Sequence, residues 1–341
     1  MDGLRDQLDA IEKLTFARFM EMKNAFLKRI RMVWLIEGHL TDADALKMVE
    51  ITEDAIGAFD PVKKEDFKVG VCRKLKEGHI YNMESINTSD KSKNSGCLVV
   101  HQMGSDASYY DNAVAHVLAS ILHEPAFKTL RTDDKLGYTV KLSKESIFNV
   151  NHISIFVQSS KFDPLYVETR INLFLKKMYD KLMAGLNDEN ESTSKSVENN
   201  KTSIINEIRT LPPNLKEGAQ FDWQQLSREE YSFARRDEAE KAINKVTTKE
   251  VLELFKQAFF EKPRRINIRQ FAPGHFNDEA KKTENRGELD KTYAEWTPNT
   301  PYTIFNIELD GQNGAHEKIK NIAAYQEQCE NQDYMRNEKR F

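Results

Sequence analysis

Apolar residues in the first half of the chain recur at helical spacing and predict an amphipathic helix. They stand at i, i+3, i+4, i+7 and i+8, which forms one stripe along a helix: Val114, Val117, Leu118, Ile121 and Leu122. Pro125 follows and predicts an interruption or a kink, because proline lacks the N–H that a helix needs. A second stripe, between Val167 and Leu182, predicts a long helix that begins at Pro164.

Short apolar or alternating stretches predict strands between these helices. They cover residues 79–86, 97–102, 136–142, 152–158 and 266–271. The stretches 136–142 and 152–158 are neighbours in the sequence and predict a hairpin. The apolar run 32–36 predicts one more strand, because its length and composition suit a buried strand better than a helix.

Two capping boxes predict where further helices begin. Thr41 is followed three residues later by Asp44, and Thr247 is followed by Glu250. In each pair the hydroxyl and the carboxylate can accept hydrogen bonds from backbone N–H groups that the first turn of a helix leaves unpaired. We therefore expect one helix to start at each threonine.

The order of the predicted elements favours an α+β fold, in which an antiparallel or mixed sheet packs on a helical layer. Residues 1–60 predict helices and one strand, too little to close a sheet, so we interpret them as the end of a larger domain. Residues 61–76 are interpreted as a linker and 77–273 as the domain that follows it. Residues 274–341 predict a polar tail of low order, with one docked segment at about 302–309.

Charge and cysteine content limit the classes of function. The 341 residues carry a net charge of -4 with both signs interspersed, so no basic field favours a nucleic-acid partner. Three cysteines without a CxxC pair predict neither a disulfide framework nor a zinc knuckle, and they favour a reducing compartment. Without a signal peptide or an apolar run of about 18 residues, the sequence predicts a cytoplasmic protein without a membrane partner.

Motifs for metal and nucleophilic chemistry are missing from the sequence. None of the eight histidines begins or ends an H-E-x-x-H or H-x-x-E-H pattern. His116 and His123 lie seven residues apart, opposite the apolar stripe, and are expected to face solvent. His101 and His152 fall on predicted strands and are expected to have structural or surface roles. We therefore assign no metal ligand and no catalytic residue to this chain.

The segment 125–138 is the best candidate for a binding site. It contains a helix end, a turn and a strand start, and Gly137 predicts a close approach of two backbones. Arg131 offers five N–H donors and Tyr138 a phenol, which together could bind a peptide carbonyl or an oxyanion. The residues alone leave a second interpretation open, in which Arg131 pairs with a neighbouring acid and Tyr138 packs in the sheet.

The same segment resembles a known family. The segment contains Arg131 and Thr132, followed after three residues by Leu136, Gly137 and Tyr138. This pattern resembles a motif in the last domain of the insulin-degrading-enzyme (insulysin) and pitrilysin family, which are zinc metallopeptidases with the inverted H-x-x-E-H motif. Other stretches support the resemblance, namely 36–41, 156–159, 166–171 and 263–265. The resemblance covers residues 4 to about 272.

The resemblance implies a fold and a function. In that family four similar α+β domains form two halves around a chamber, and the first domain holds the zinc. The chain would then be the non-catalytic C-terminal half of an insulysin-like zinc metalloendopeptidase. Residues 1–60 would be the C-terminal part of the third peptidase-like domain and 77–273 the fourth. Arg131 is expected to bind a substrate carbonyl, and Tyr138 to help hold the substrate backbone.

Cofactor and partners follow from the same resemblance. Zinc is expected on the missing catalytic half and not in this chain, which is expected to be inactive alone and to form part of the chamber wall. The expected partners are peptide substrates and a catalytic N-terminal half, in the same or a separate chain; a homo-oligomer is left open. The alternative function is a non-enzymatic scaffold or binding protein of the same fold.

Overall fold

A computed structural model describes most of the chain. The described residues are 4–63, 66, 72–87, 89–103, 108–147, 150–227, 235–296, 303–307, 309–310, 318–319 and 329–330. They divide into two compact units. Unit 1 comprises Met1–Gly70, Thr210–Arg235 and Arg336–Phe341, and unit 2 comprises Val71–Arg209 and Arg236–Met335. The domain limits expected from the sequence stay predictions, since compactness alone does not define a domain.

The helices are numbered in chain order. They are α1 (Leu4–Glu12), α2 (Phe16–Lys28), α3 (Asp42–Ile56), α4 (Tyr109–Ala126), α5 (Pro164–Ala184), α6 (Ser192–Arg209), α7 (Leu215–Ser227), α8 (Arg235–Lys245), α9 (Thr248–Lys256), α10 (Pro273–Phe276) and α11 (Glu279–Trp296). Two π-helical segments, Phe127–Asp133 and Gln257–Glu261, continue α4 and α9.

The strands are numbered in the same way. They are β1 (Arg29–Ile30), β2 (Asp60–Pro61), β3 (Lys74–Leu75), β4 (His79–Ile86), β5 (Ser95–Gln102), β6 (Thr139–Ile147), β7 (Val150–Ser159), β8 (Arg264–Phe271), β9 (Thr303–Ile307), β10 (Leu309–Asp310), β11 (Lys318–Ile319) and β12 (Cys329–Glu330). None of the helices in the described part of the chain has the length and the apolar character that crossing a membrane requires.

Unit 1 confirms one predicted helix start and corrects one predicted strand. The capping box of Thr41 and Asp44 forms as expected and opens α3. The apolar run 32–36 was predicted as a buried strand, but these residues have no regular secondary structure, and Val33 and Trp34 are exposed. The prediction is wrong because composition alone does not supply a partner strand, and no strand of the described residues pairs with this run.

Unit 2 confirms the predicted α+β fold with a mixed sheet. Among the described residues, six strands pair in the order β6-β7-β5-β8-β4-β9. The pairs from β6 to β8 are antiparallel, whereas β4 runs parallel to both β8 and β9. Strand β6 begins at Thr139, three residues later than predicted, because the π-helical segment and a turn at Lys135, with a φ of 51°, precede it.

The core of unit 2 lies between the sheet and its helices. One face of the central strands carries apolar side chains at alternate positions, and helices α4, α5 and α9 supply the opposing layer. The predicted amphipathic helix is α4, which continues through Pro125 to Ala126 before the geometry changes to π-helical. This change moves the chain from the helical layer towards the start of β6.

Helix α11 corrects the prediction of a polar tail of low order. Within 274–341, residues Glu279–Trp296 are helical, and Leu289 and Tyr293 are buried against unit 2. The prediction is wrong there because much of the buried stripe is polar: Asn285 donates to Asp163 at 2.5 Å. A helix with such a stripe shows few apolar residues at helical spacing in its sequence. Its polar groups are nevertheless buried, because they form hydrogen bonds inside the protein.

The last strand of the main sheet lies where a docked segment was predicted. Strand β9 pairs in parallel with β4 from Thr303 to Ile307, so this piece extends the sheet by one strand. The remaining predicted tail lies largely outside the described residues.

Candidate functional site

The structure brings the two predicted binding residues into contact. Arg131 lies in the π-helical segment, and its guanidinium carbon is 4.7 Å from the centroid of the Phe127 ring and 4.5 Å from that of the Tyr138 ring. Both distances are within the range of cation–π contacts. Tyr138 is 84% exposed and Phe127 40% exposed, so the arginine is held by two rings at the surface of unit 2.

This geometry does not support the second interpretation of these residues. Tyr138 lies just before β6 and is exposed, so it does not pack within the sheet. The two acids nearest to Arg131 in the sequence have other partners. Asp133 pairs with Lys128 at 2.7 Å. Asp134 accepts two hydrogen bonds from Arg170, at 3.0 and 2.6 Å. No carboxylate within the described ranges forms an ion pair with Arg131.

The bond between Asp134 and Arg170 fixes the turn that precedes Tyr138. It joins the end of the π-helical segment to α5, and it is bidentate, the geometry that gives an arginine–carboxylate pair its strength. The hydrogen bonds that Arg170 donates to Asp134 raise the pKa of Arg170 above its ordinary value. Leu136 is buried, and its N–H donates to the carbonyl of Leu130 at 3.0 Å. The backbone on both sides of the binding pair is therefore anchored.

Gly137 allows a close approach of two backbone segments, as the sequence predicts. A Cβ atom at this position would lie 1.9 Å from the carbonyl oxygen of Gln158. Any side chain would push the segment away from β7. Because Tyr138 follows directly, the glycine sets where its ring stands relative to the sheet.

The arrangement is suited to binding a backbone carbonyl. The guanidinium of Arg131 carries its N–H donors in one plane, so they can form hydrogen bonds at the edge of the group while both rings contact it. The phenol of Tyr138 can donate or accept a hydrogen bond at the same place. Phe127 is a part of the site that the sequence reasoning missed; the signal was its position four residues before Arg131, which places both on one helical face.

The histidines of α4 occupy different environments. His123 is exposed, as expected, but His116 is half-buried, which corrects the expectation that both face solvent. The reason is that β6 packs against this part of α4. Burial lowers the pKa of His116, and the charge of Lys144 on β6 lowers it further. In the described part of the chain, no group of three or more His, Cys, Asp and Glu residues could hold a metal ion.

A buried ionic cluster lies beneath the sheet of unit 2 and was not predicted from the sequence. Glu168 of α5 accepts hydrogen bonds from Arg265 at 3.0 Å and from Arg269 at 2.6 Å, both on β8. Tyr293 of α11 also donates to Glu168. All four side chains are almost fully buried, so both guanidinium charges depend on this carboxylate for compensation. Arg265 also donates to the amide oxygen of Asn172, and Arg269 also pairs with Glu84 at 2.8 Å.

Comparisons with known proteins identify relatives of this chain. A family model described as PQQ synthase PqqF-like, C-terminal lobe domain 4, matches residues 117–223, a stretch that includes Arg131 and Tyr138. The insulin-degrading enzyme of Drosophila melanogaster is 27% identical over 261 residues, which are 73% of this chain and 24% of that protein. The nardilysin-like protein of Arabidopsis thaliana is 25% identical over 278 residues, 76% of this chain and 26% of that protein.

A solved structure shares the fold. The crystal structure of pitrilysin matches with a TM-score of 0.64 at 18% sequence identity, over 96% of this chain and 30% of that chain. The chain spans about a quarter of the length of the two curated relatives named above. The chain is therefore similar to the insulin-degrading enzyme of Drosophila melanogaster, matches the model of a PqqF-like C-terminal lobe domain over residues 117–223 and shares its fold with pitrilysin.

Proposed function

We propose that this chain acts as the non-catalytic C-terminal half of an insulysin-like zinc metalloendopeptidase. In this role it lines part of a chamber and binds peptide substrate through Arg131 and Tyr138. The observation that carries the proposal is the exposed contact between these two side chains, held between anchored backbone segments within the stretch that matches the family model. The named relative from Drosophila melanogaster is, by its name, an enzyme that degrades insulin, a polypeptide.

The metal belongs, in this proposal, to a separate catalytic half. The described residues contain no donor set for zinc, so we derive no step through a metal on this chain. Bound on the catalytic half, zinc would polarise the scissile carbonyl and activate water. The present chain would contribute binding and orientation of the peptide.

Each residue of the site has a role in this arrangement. The guanidinium of Arg131 donates to a substrate carbonyl, and a charged donor makes that bond stronger than a neutral one would. Tyr138 supports the guanidinium with its ring and holds the substrate backbone with its hydroxyl. The ring of Phe127 also contacts the guanidinium and supports it. Holding the donors in place before the substrate arrives reduces the entropy lost on binding.

Peptide cleavage by a mixture of this chain and a catalytic half tests the proposal. We expect activity in the mixture only, and a fall in kcat/KM of about 10- to 100-fold for Arg131→Ala, since one hydrogen bond to a charged donor is lost. Tyr138→Phe removes only the hydroxyl and is expected to cost about fivefold. Tyr138→Ala also removes the supporting ring and should cost more.

Lys128→Ala is the matched control. It removes a positive charge from the same π-helical segment, but its side chain is exposed and its ion pair with Asp133 is at the surface. We expect the activity of this variant to stay within about twofold of the wild type. Normal activity of both Arg131→Ala and Tyr138→Ala would refute the proposed role. A peptide-binding chain that never activates the catalytic half would instead support the alternative of a scaffold or binding protein.

A further inference from the structure

Three histidines lie at one end of unit 2. His101 on β5 is 1% exposed, His152 on the neighbouring strand β7 is also buried, and His116 on α4 is half-buried. The two strands pair so that His152 stands opposite Gln102, the residue after His101. An unperturbed histidine gains its charge between about pH 5 and 8, so buried rings make the packing in this region depend on pH.

The surroundings of His101 determine which ring nitrogen carries the proton. Nδ1 lies 3.3 Å from the carbonyl oxygen of Ala258, which can only accept a hydrogen bond, so Nδ1 is the protonated nitrogen. Nε2 is then an acceptor, and it has no hydrogen-bond partner among the described residues. The ring also stacks on Phe259, with 4.2 Å between the two centroids. Ala258 and Phe259 belong to the π-helical segment Gln257–Glu261, so the neutral ring joins that segment to β5.

The charges nearest to His101 along the sheet are positive. In the same row across the strands, Arg265 on β8 stands next to His101, and Lys144 on β6 follows two strands away on the other side. Burial lowers the pKa of His101 well below its ordinary value of 6.5, and the charge of Arg265 lowers it further; the backbone hydrogen bond does not offset them. No carboxylate in the described part of the chain forms an ion pair with His101, since Glu168 is bound to Arg265 and to Arg269. A second proton on this ring would therefore be a buried charge without compensation.

The other two histidines have charges of both signs nearby. Burial lowers the pKa of His116; Lys144 on β6 lowers it further, and Glu207 on α6 raises it. Burial likewise lowers the pKa of His152, while Glu145 raises it and Lys144 lowers it. In both cases a carboxylate offsets part of the cost of protonation. The ring on β5 faces no such carboxylate, so its protonation is the one that the folded structure tolerates least.

We propose that mild acid detaches the π-helical segment Gln257–Glu261 from β5, with His101 as the trigger. In the closed state the ring is neutral; when the segment moves away, the ring reaches water and takes up a proton. The open state then binds one proton more than the closed state, so opening becomes more favourable as the pH falls below 6.5. This inference does not depend on the proposed function, because it concerns a contact inside unit 2.

The pH range of this switch differs from the range in which Glu168 titrates. The stabilisation of the closed contact is fully present above pH 6.5 and is lost progressively below it, whereas Glu168 stays ionised above pH 4.5. For one proton taken up at the ordinary pKa of 6.5, the opening constant at pH 5 is about 30 times that at pH 7.5. Measurements between pH 5 and pH 7.5 therefore report on histidine.

Hydrogen exchange of the full chain tests the proposal, with protection factors used so that the intrinsic pH dependence of exchange is removed. The amide of Lys262 reports on the segment, because it donates to the carbonyl of Gln257 at 2.8 Å. In the wild type we expect its protection factor to be about 30-fold lower at pH 5 than at pH 7.5 and to recover when the pH is raised again. His101→Asn keeps a donor near Ala258 but cannot take up a proton, so its protection factor should change by less than about twofold over the same range.

His123→Asn is the matched control, because this histidine is exposed on α4. The control variant should keep the full change between the two pH values. A wild type without the change would overturn the proposal. So would a change that His116→Asn or His152→Asn removes and His101→Asn retains.

Nitrogen NMR of the histidine rings provides a readout on the wild type that needs no variant. We expect Nδ1 to carry the only proton of the His101 ring in the closed state, at pH 7.5 and at pH 5. The side-chain oxygen of Asn151 is also buried without a partner among the described residues, and it stands diagonally across from His101 on β7. A His101 ring that gains its second proton near pH 6.5 in the closed state, with this oxygen as acceptor, would contradict the proposal.

Discussion

Replacing Gly137 with alanine is expected to lower the free energy of unfolding of the chain by about 3 kcal/mol. The added Cβ would lie 1.9 Å from the carbonyl oxygen of Gln158, and backbone atoms cannot move aside as a flexible side chain can. The segment before β6 must therefore shift from β7 or lose its anchoring contacts. Urea unfolding followed by circular dichroism measures the change.

Gly287→Ala is the matched control for this substitution. Gly287 lies in α11 and is exposed, and an added Cβ there would have no atom within 4 Å. Alanine inside a helix is more favourable than glycine, so we expect this variant to be more stable by about 0.5 to 1 kcal/mol. A Gly137→Ala variant as stable as the wild type would show that the segment does not need the close approach.

Glu168→Gln is expected to destabilise the chain by about 4 kcal/mol. The substitution keeps the shape of the side chain but removes the carboxylate that Arg265 and Arg269 share, although Arg269 keeps its ion pair with the partly exposed Glu84. The matched control is Glu288→Gln on α11, whose partner Lys291 is exposed. Because surface ion pairs contribute little, we expect the control to unfold at the same urea concentration as the wild type.

The pH dependence of stability gives an independent check of Glu168. Burial alone would raise its pKa, but the charges of Arg269 and Arg265 and the hydrogen bonds to the carboxylate outweigh burial, so the pKa lies below its ordinary value of 4.5. The contribution of the ionised Glu168 to the free energy of unfolding is then fully present above pH 4.5. It is lost as the pH falls through the lowered pKa. The difference in unfolding free energy between wild type and Glu168→Gln should shrink at acid pH; a constant difference would contradict this assignment.

Features that depend on neighbouring residues in the sequence are the ones the sequence predicted well. The capping boxes at Thr41 and Thr247 form as predicted, because hydroxyl and carboxylate act on the first turn of their own helix. Strand β4 has the predicted limits, and Gly137 makes the predicted close approach.

Features that depend on distant partners were missed. Helix α11 buries hydrogen-bonded polar groups, so its sequence does not differ from that of a solvated segment. Arg265 and Arg269 alternate with other residues on β8 as surface charges would, and only the position of Glu168 on α5 makes their burial favourable. For the run 32–36 the error is the reverse: a buried strand was predicted where none forms. The apolar composition suggested a strand, but nothing in the sequence indicated a partner strand.

Some features of the candidate site could likewise be predicted from the sequence, whereas others depend on distant residues. Arg131 and Tyr138 could be selected from the sequence because their side chains can bind a peptide carbonyl and because they belong to a segment that resembles a family motif. Their mutual contact and the second ring of Phe127 depend on the π-helical geometry, which the sequence did not predict. The edge position of β6 depends on the order of strands in the whole sheet, and this order is set by contacts between residues far apart in the chain.

The central claim is that the exposed pair of Arg131 and Tyr138 contacts a peptide held by a catalytic partner, and photo-crosslinking tests it most directly. Tyr138 is replaced by p-benzoylphenylalanine, and the chain is mixed with a catalytic half and a labelled peptide. The control carries the same replacement at Phe16, which is 78% exposed on α2 of unit 1. We predict a crosslink to the peptide from position 138 that unlabelled peptide abolishes, and none from position 16. No crosslink at 138, or equal crosslinks at both positions, would contradict the claim.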